Sequence, residues 1–368
     1  VQEKSVLNHS VLPQNPIFVV GYPRSGTTLL QALLATQLGF YSFPETHYFY
    51  YIAERSLVFA GKGASVEQEA ATPPGGFTAY LSKLIPSRVA PAYASLVSQL
   101  GRIVPRRHVA KEAPENRASQ PYLTRGLPEN DIIQPACLDH AFELIHQKID
   151  FRFSPEEVAA IRHCAEMNEL SSKRFFESIV SHFLNMQGVA LDSSADFRWI
   201  EKTPLHANVL DQVLACYPSA QVVHILRHPV PAVFSRKLKF TFAQDAPVER
   251  LAKEWLLLVQ NVERFQDQFP GRIYMLRYED LVEDFENRVK AVAEFLHFTF
   301  DFSRLSLFGH ACRTVTLPSE TWKRLDQTLR LENTNAAYRD SISPDLAESV
   351  EAIVGDKMRH YGYEPFFK

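Results

Sequence analysis

The sequence predicts an α/β fold, a parallel sheet flanked by helices, and two stretches carry that prediction. The first is Ile17-Phe18-Val19-Val20, a continuous apolar run of the kind required by a strand buried on both faces. It stops at Gly21, and after a short loop a helical pattern runs from Thr27 to Leu38 and is closed by Gly39. The second is Gln221-Val222-Val223-His224-Ile225-Leu226, followed by a helix predicted from Pro229 to about Lys239 with proline in its first turn. Strand, loop and helix in succession is the building unit of such folds.

The other elements follow in order. A strand around Phe197-Arg198-Trp199-Ile200-Glu201 and another over Arg272-Ile273-Tyr274-Met275-Leu276-Arg277 can join the same sheet. Between about residues 50 and 195 prolines cluster, as at Pro73-Pro74, Pro105 and Pro121, and helical patterns such as Ser154 to Phe183 dominate. This stretch reads as a long, mainly helical insertion within a single domain spanning residues 1–368, placed to form an acceptor pocket or lid. Ser154-Pro155-Glu156-Glu157 is a helix start, with a capping serine, proline at the first helical position and acids in the first turn.

With 368 residues and 46% hydrophobic composition the chain can bury a large core. A formal net charge of −3 gives no broad attraction for nucleic acid or for an anionic membrane, so any anion site must be local. Four scattered cysteines, Cys137, Cys164, Cys216 and Cys312, form no C-x-x-C pair, which argues against zinc and a disulfide framework and for a reducing, cytoplasmic setting. Val-Gln-Glu-Lys-Ser lacks the apolar run of a signal peptide, and no run of about 18 apolar residues predicts a transmembrane segment. The chain starts at Val1 rather than Met, as an excised domain or a product trimmed of an anchor would.

Gly21-Tyr22-Pro23-Arg24-Ser25-Gly26-Thr27-Thr28 has the G-x-x-x-x-G spacing of a P-loop in the context such a loop needs, between buried strand and helix. A nucleoside-triphosphate loop continues with lysine, which reaches the terminal phosphates, and a hydroxyl that holds magnesium. Here Thr27 stands in the lysine position and the cation is Arg24, inside the loop. Arg24 can grip a terminal anionic group while loop amides, Ser25, Gly26 and the Thr27 and Thr28 hydroxyls take a phosphate. The smaller charge of a phosphosulfate suits this loop better than a triphosphate does.

The Pro-Arg-Ser-Gly-Thr-Thr run resembles the 5′-phosphosulfate loop of the sulfotransferase superfamily, in particular bacterial and tyrosylprotein-like members with arginine at this place. Leu226-Arg227-His228-Pro229-Val230-Pro231-Ala232-Val233-Phe234-Ser235 resembles the family's 3′-phosphate motif; an arginine just past a strand and a serine eight positions on, in the next helix, can share one phosphate. Glu201-Lys202-Thr203-Pro204 and Tyr278-Glu279-Asp280-Leu281 resemble two further family segments. The resemblance implies a P-loop-type fold and metal-free transfer from 3′-phosphoadenosine 5′-phosphosulfate (PAPS), leaving 3′-phosphoadenosine 5′-phosphate (PAP). It implies Lys202 near the transferring sulfonate and Tyr278 at the adenine end. Trp322-Lys323-Arg324 loosely resembles a stretch that completes the 3′-phosphate pocket.

In-line transfer to a hydroxyl needs a base for the incoming oxygen's proton. The sequence offers Glu45, His47 and His206. Glu45 is preferred, because family members with a glutamate base carry it after the first helix; a dry site would raise its pKa. His47, two residues on in an extended segment, is expected on the opposite face. The acceptor is expected to be a small-molecule or carrier-tethered hydroxyl, in a carrier-protein or megasynthase context, since no basic stretch marks a polyanionic or acidic-peptide acceptor. Two rivals are an ATP-dependent P-loop kinase, which needs a lysine after Gly26 and magnesium, and a nucleotide-binding or carrier-docking module without catalysis.

Overall fold

Five strands, β1 (Ile17–Gly21), β2 (Phe40–Ser42), β3 (Arg198–Lys202), β4 (Gln221–Leu226) and β5 (Ile273–Arg277), form one sheet in the order β2-β3-β1-β4-β5, and every pair is parallel. They come from a computed structural model that describes residues 12–53, 132–189, 197–320, 323, 329 and 331–367. The α/β class and the four predicted strands are as the sequence implies. Alternate residues of β1 enter two different cores, Phe18 and Val20 on one face and Ile17 and Val19 on the other. That is why its sequence is apolar without alternation, and each such buried side chain contributes roughly 1.5–3 kcal/mol.

The register sets the site. Val19 pairs with Lys202 on one side and with Val223 on the other. Gly21, Lys202 and Leu226 therefore end their strands at one edge of the sheet. From β1 the chain leaves toward β2, and from β4 it leaves toward β5, on the opposite side. Adjacent strands whose connections diverge leave a crevice beyond their carboxyl ends, the usual ligand position in open parallel sheets.

Helix α1 (Thr27–Ala35) follows the first loop. It was predicted to reach Leu38, but Thr36 donates its hydroxyl to the Leu33 carbonyl at 2.7 Å and Gly39 turns the chain at φ 78°, leaving Leu38 80% exposed. Within the predicted insertion lie α2 (Leu138–Ile149), α3 (Pro155–Glu166) and α4 (Ser172–Met186). The single pattern from Ser154 to Phe183 is thus two helices, and Ser154 forms a capping box with Glu157. Residues 54–131 and 190–196 of that stretch lie outside the described residues.

Downstream come α5 (Leu210–Cys216), α6 (Pro229–Lys239), α7 (Val248–Gln268), α8 (Tyr278–Glu283), α9 (Phe285–Phe295), α10 (Phe308–Thr314), the short α11 (Thr334–Ala337) and α12 (Pro344–His360). Among the described residues no helix is long and apolar enough to cross a membrane.

Candidate functional site

The loop after β1 is shaped by two positive φ angles, 76° at Arg24 and 93° at Gly26. Gly26 is required twice over: a side chain is strained at that φ, and a Cβ would stand 2.7 Å from the Tyr278 ring. Gly21 answers a different need, since a Cβ there would meet the Ile225 carbonyl oxygen at 2.4 Å. Gly26 caps α1 without a side chain, so the first amides of the helix receive no side-chain cap. Ser25 is fully buried and its Oγ has no hydrogen-bond partner among the described residues. A buried hydroxyl beside uncapped helical amides is chemistry that fits an anionic ligand.

The second corner closes on the first. Arg24 Nε donates to Ser235 Oγ at 3.2 Å, and Arg227 Nη1 donates to the Arg24 carbonyl at 2.8 Å. Ser235 is fully buried on α6 and also lies 3.3 Å from the Tyr338 hydroxyl. Arg227, 4% exposed, donates Nε to Asn335 Oδ1 at 2.8 Å and Nη2 to Thr334 Oγ1 at 2.9 Å. Its guanidinium lies 4.7 Å from the centre of the Tyr278 ring. Tyr278 therefore packs between Gly26 and Arg227, and its hydroxyl donates to the Glu332 carbonyl at 3.1 Å.

Beyond the loop, Gln31 fixes the chain after β2 by donating to Ser42 Oγ and the Phe43 carbonyl at 2.9 and 2.8 Å. Glu201, buried in β3, accepts from the Thr46 and Thr203 hydroxyls at 2.8 and 2.7 Å, and the His47 amide donates to Thr203 Oγ1 at 3.1 Å. These bonds hold Glu45 over the end of β3, where Lys202 Nζ donates to its Oε1. Lys323 Nζ donates to the same oxygen at 2.5 Å and also pairs with Glu320.

Residues 16–301, more than three quarters of the chain, match the family model described as the sulfotransferase family. The chain belongs to that family. It is a sulfotransferase, an enzyme that transfers sulfate. Curated proteins offer no match to its sequence. Similar solved structures include a sulfotransferase domain from the curacin biosynthetic pathway, with 17% identity over 95% of this chain and 98% of that one and a TM-score of 0.48. The sulfotransferase domain of the Synechococcus PCC 7002 olefin synthase has 16% identity over 95% and 96% of the two chains, TM-score 0.45. Retinol dehydratase in complex with androsterone and inactive cofactor PAP has 12% identity over 95% and 82%, TM-score 0.35.

In this sulfotransferase the electrostatics at Glu45 differ from the expectation. Burial alone would raise the Glu45 carboxyl, but Lys202 and Lys323, with His47 behind them, hold it well below the usual carboxylate range. Burial pulls Lys202 down to about 8, against the upward pull of Glu45. His47 is also not where an extended chain would put it. Its φ of 52° folds the backbone back, and Nε2 comes 3.4 Å from Glu45 Oε2. Burial lowers the His47 imidazole to about 4, more than Glu45 can offset.

His206 has both ring nitrogens engaged: Nδ1 donates to Glu201 at 2.9 Å and Nε2 accepts from the Phe49 amide at 3.2 Å. Lys323 pairs with Glu45 and Glu320; Trp322 and Arg324, the rest of that basic stretch, lie outside the described residues. Thr334, Asn335 and Tyr338 were not foreseen; the sequence around them offers a capping asparagine, Asn333, and nothing that ties it to Arg227. Among the described residues no group of histidines, cysteines and carboxylates could hold a metal ion.

Proposed function

We propose that this sulfotransferase uses PAPS and transfers its sulfonate to an acceptor hydroxyl by in-line displacement, with Glu45 as the base. The observation that carries this reading is the bond from Arg24 to Ser235, which brings together the two motifs suited to the opposite ends of one nucleotide. The 5′-phosphate binds at the uncapped amides of α1, Ser25, Thr27 and Thr28; Arg227 and Ser235 take the 3′-phosphate; Tyr278 lines the adenine end. Around the transfer point the cations Arg24, Lys202 and Lys323 face the carboxylates Glu45 and Glu320, a surplus that suits an incoming anion.

In the step itself the acceptor oxygen bonds to sulfur, the bond from sulfur to the phosphate oxygen breaks, and the acceptor proton passes to Glu45. Lys202 neutralises charge on the departing oxygen. Sulfonate and phosphate compete with Glu45 for Lys202 and Lys323, so the proton affinity of Glu45 rises as the donor settles. His47, beside Glu45, is the second candidate for the base; His206, with no ring nitrogen to spare, serves to position Phe49 and Glu201.

The acceptor belongs to the small-molecule or carrier-tethered hydroxyls, in a cytoplasmic setting. Its pocket is assigned to the stretch of about residues 50–195, read as an insertion within a single domain. The test is release of PAP from PAPS with a panel of hydroxyl acceptors in EDTA. Turnover that persists under chelation supports the reading; turnover of ATP alone, abolished by EDTA, returns the kinase.

A further inference from the structure

Glu279 lies beside Tyr278 on α8 and is 7% exposed, and three donors converge on it. The His228 amide and Asn335 Nδ2 donate to Oε1 at 3.0 and 2.6 Å, and the Tyr363 hydroxyl donates to Oε2 at 2.9 Å. The donors come from three parts of the chain: the turn after β4, α11, and the stretch after α12.

Two of these paths lead directly to Arg227. His228 is its neighbour in sequence, and its ring donates Nε2 to the Glu364 carbonyl at 3.0 Å while Nδ1 accepts from Val230 N at 3.3 Å, which pins the turn. Asn335 gives its amide N–H to Glu279 and its Oδ1 to Arg227 Nε. Only one orientation of that amide works, because a carboxylate can only accept and a guanidinium can only donate. Arg227 has five N–H groups; three are taken by Asn335, Thr334 and the Arg24 carbonyl, leaving two, among the described residues, for an anion.

We propose that Glu279 is a positioning residue for the 3′-phosphate: it fixes Arg227 through Asn335 and the His228 backbone without touching the nucleotide. This rests on the reading of Arg227 as the 3′-phosphate ligand. Methionine at 279 would fill the same space but offer no acceptor to the His228 amide or to Asn335, so Asn335 loses the acceptor that orients it and Arg227 loses its fixed direction. Affinity for the 3′-phosphate falls, while binding of the 5′-phosphate, held by the loop after β1, does not.

Calorimetric titration with adenosine 3′,5′-bisphosphate and with adenosine 5′-monophosphate separates the two ends. For the wild type the bisphosphate binds more tightly. Glu279→Met weakens the bisphosphate by about tenfold and the monophosphate by less than about twofold. Asn335→Ala, at a half-buried position on α11, gives the same selective loss. Equal weakening of both ligands in both variants, or an unchanged ratio in both, overturns the proposal. A wild type that does not distinguish the two nucleotides overturns the 3′-phosphate reading of Arg227 itself, and the proposal with it.

Discussion

Arg24 and Ser235 stand 211 positions apart in the chain and share a hydrogen bond, Nε to Oγ, at 3.2 Å. The bond joins the corners that follow β1 and β4, so each corner holds the other in place. Arg24→Ala removes both a charge and this tie and is expected to weaken adenosine 3′,5′-bisphosphate binding at least about tenfold. Ser235→Ala costs less. A double-mutant cycle read by calorimetry should give a coupling of about 1 kcal/mol or more between them, and independent effects would mean the contact has no energetic weight.

Glu45→Gln keeps the shape of the site and removes the proposed proton acceptor. Turnover should fall by about two orders of magnitude or more, with bisphosphate affinity little changed. Near-normal turnover would move the base to His47, and His47→Asn would then show the larger loss.

Lys202, held near 8 by burial, must be protonated for its proposed role of neutralising the leaving oxygen. The free enzyme loses that proton above about pH 8, so kcat/KM for the donor should decline on the alkaline side of that value. Arginine stays charged there, and Lys202→Arg should flatten the limb whatever its absolute rate. A wild-type profile level to pH 10 contradicts this role.

His224 makes a prediction about stability. It is fully buried in β4, neither ring nitrogen has a partner among the described residues, and burial lowers its pKa to about 3. An unfolded histidine titrates near 6.5, so between these values the unfolded chain binds the proton and the folded one does not. The contribution is present above about pH 6.5 and is lost as the pH falls toward 3. His224→Leu should remove about 2 kcal/mol of the acid destabilisation between pH 6.5 and 5, measured by urea unfolding at both pH values. Identical pH slopes in the two proteins would show that another group governs acid sensitivity.

The strands β1 and β4 were legible because a strand covered on both faces must be largely apolar, and Gly21 and Pro229 mark where they end. β2 was not: three residues, Phe40 and Tyr41 only half-buried, carry no periodic signal. The residues proposed for the donor side could be picked out because Arg24, Ser25, Arg227 and Ser235 sit at fixed offsets from strand ends, and the structure brings Arg24, Arg227 and Ser235 together. The surroundings of Glu45 were not, since its state depends on Lys323, 278 positions away, and on the reversed backbone at His47. Asn335, 108 positions from Arg227, was hidden for the same reason.

The most direct test is a crystal structure of the complex with adenosine 3′,5′-bisphosphate. The account predicts a single nucleotide whose 5′-phosphate lies on the Ser25–Thr28 amides and whose 3′-phosphate lies on Arg227 and Ser235, with Glu45 and Lys202 open beyond the 5′ end. A nucleotide bound away from either corner, or reaching only one of them, contradicts it.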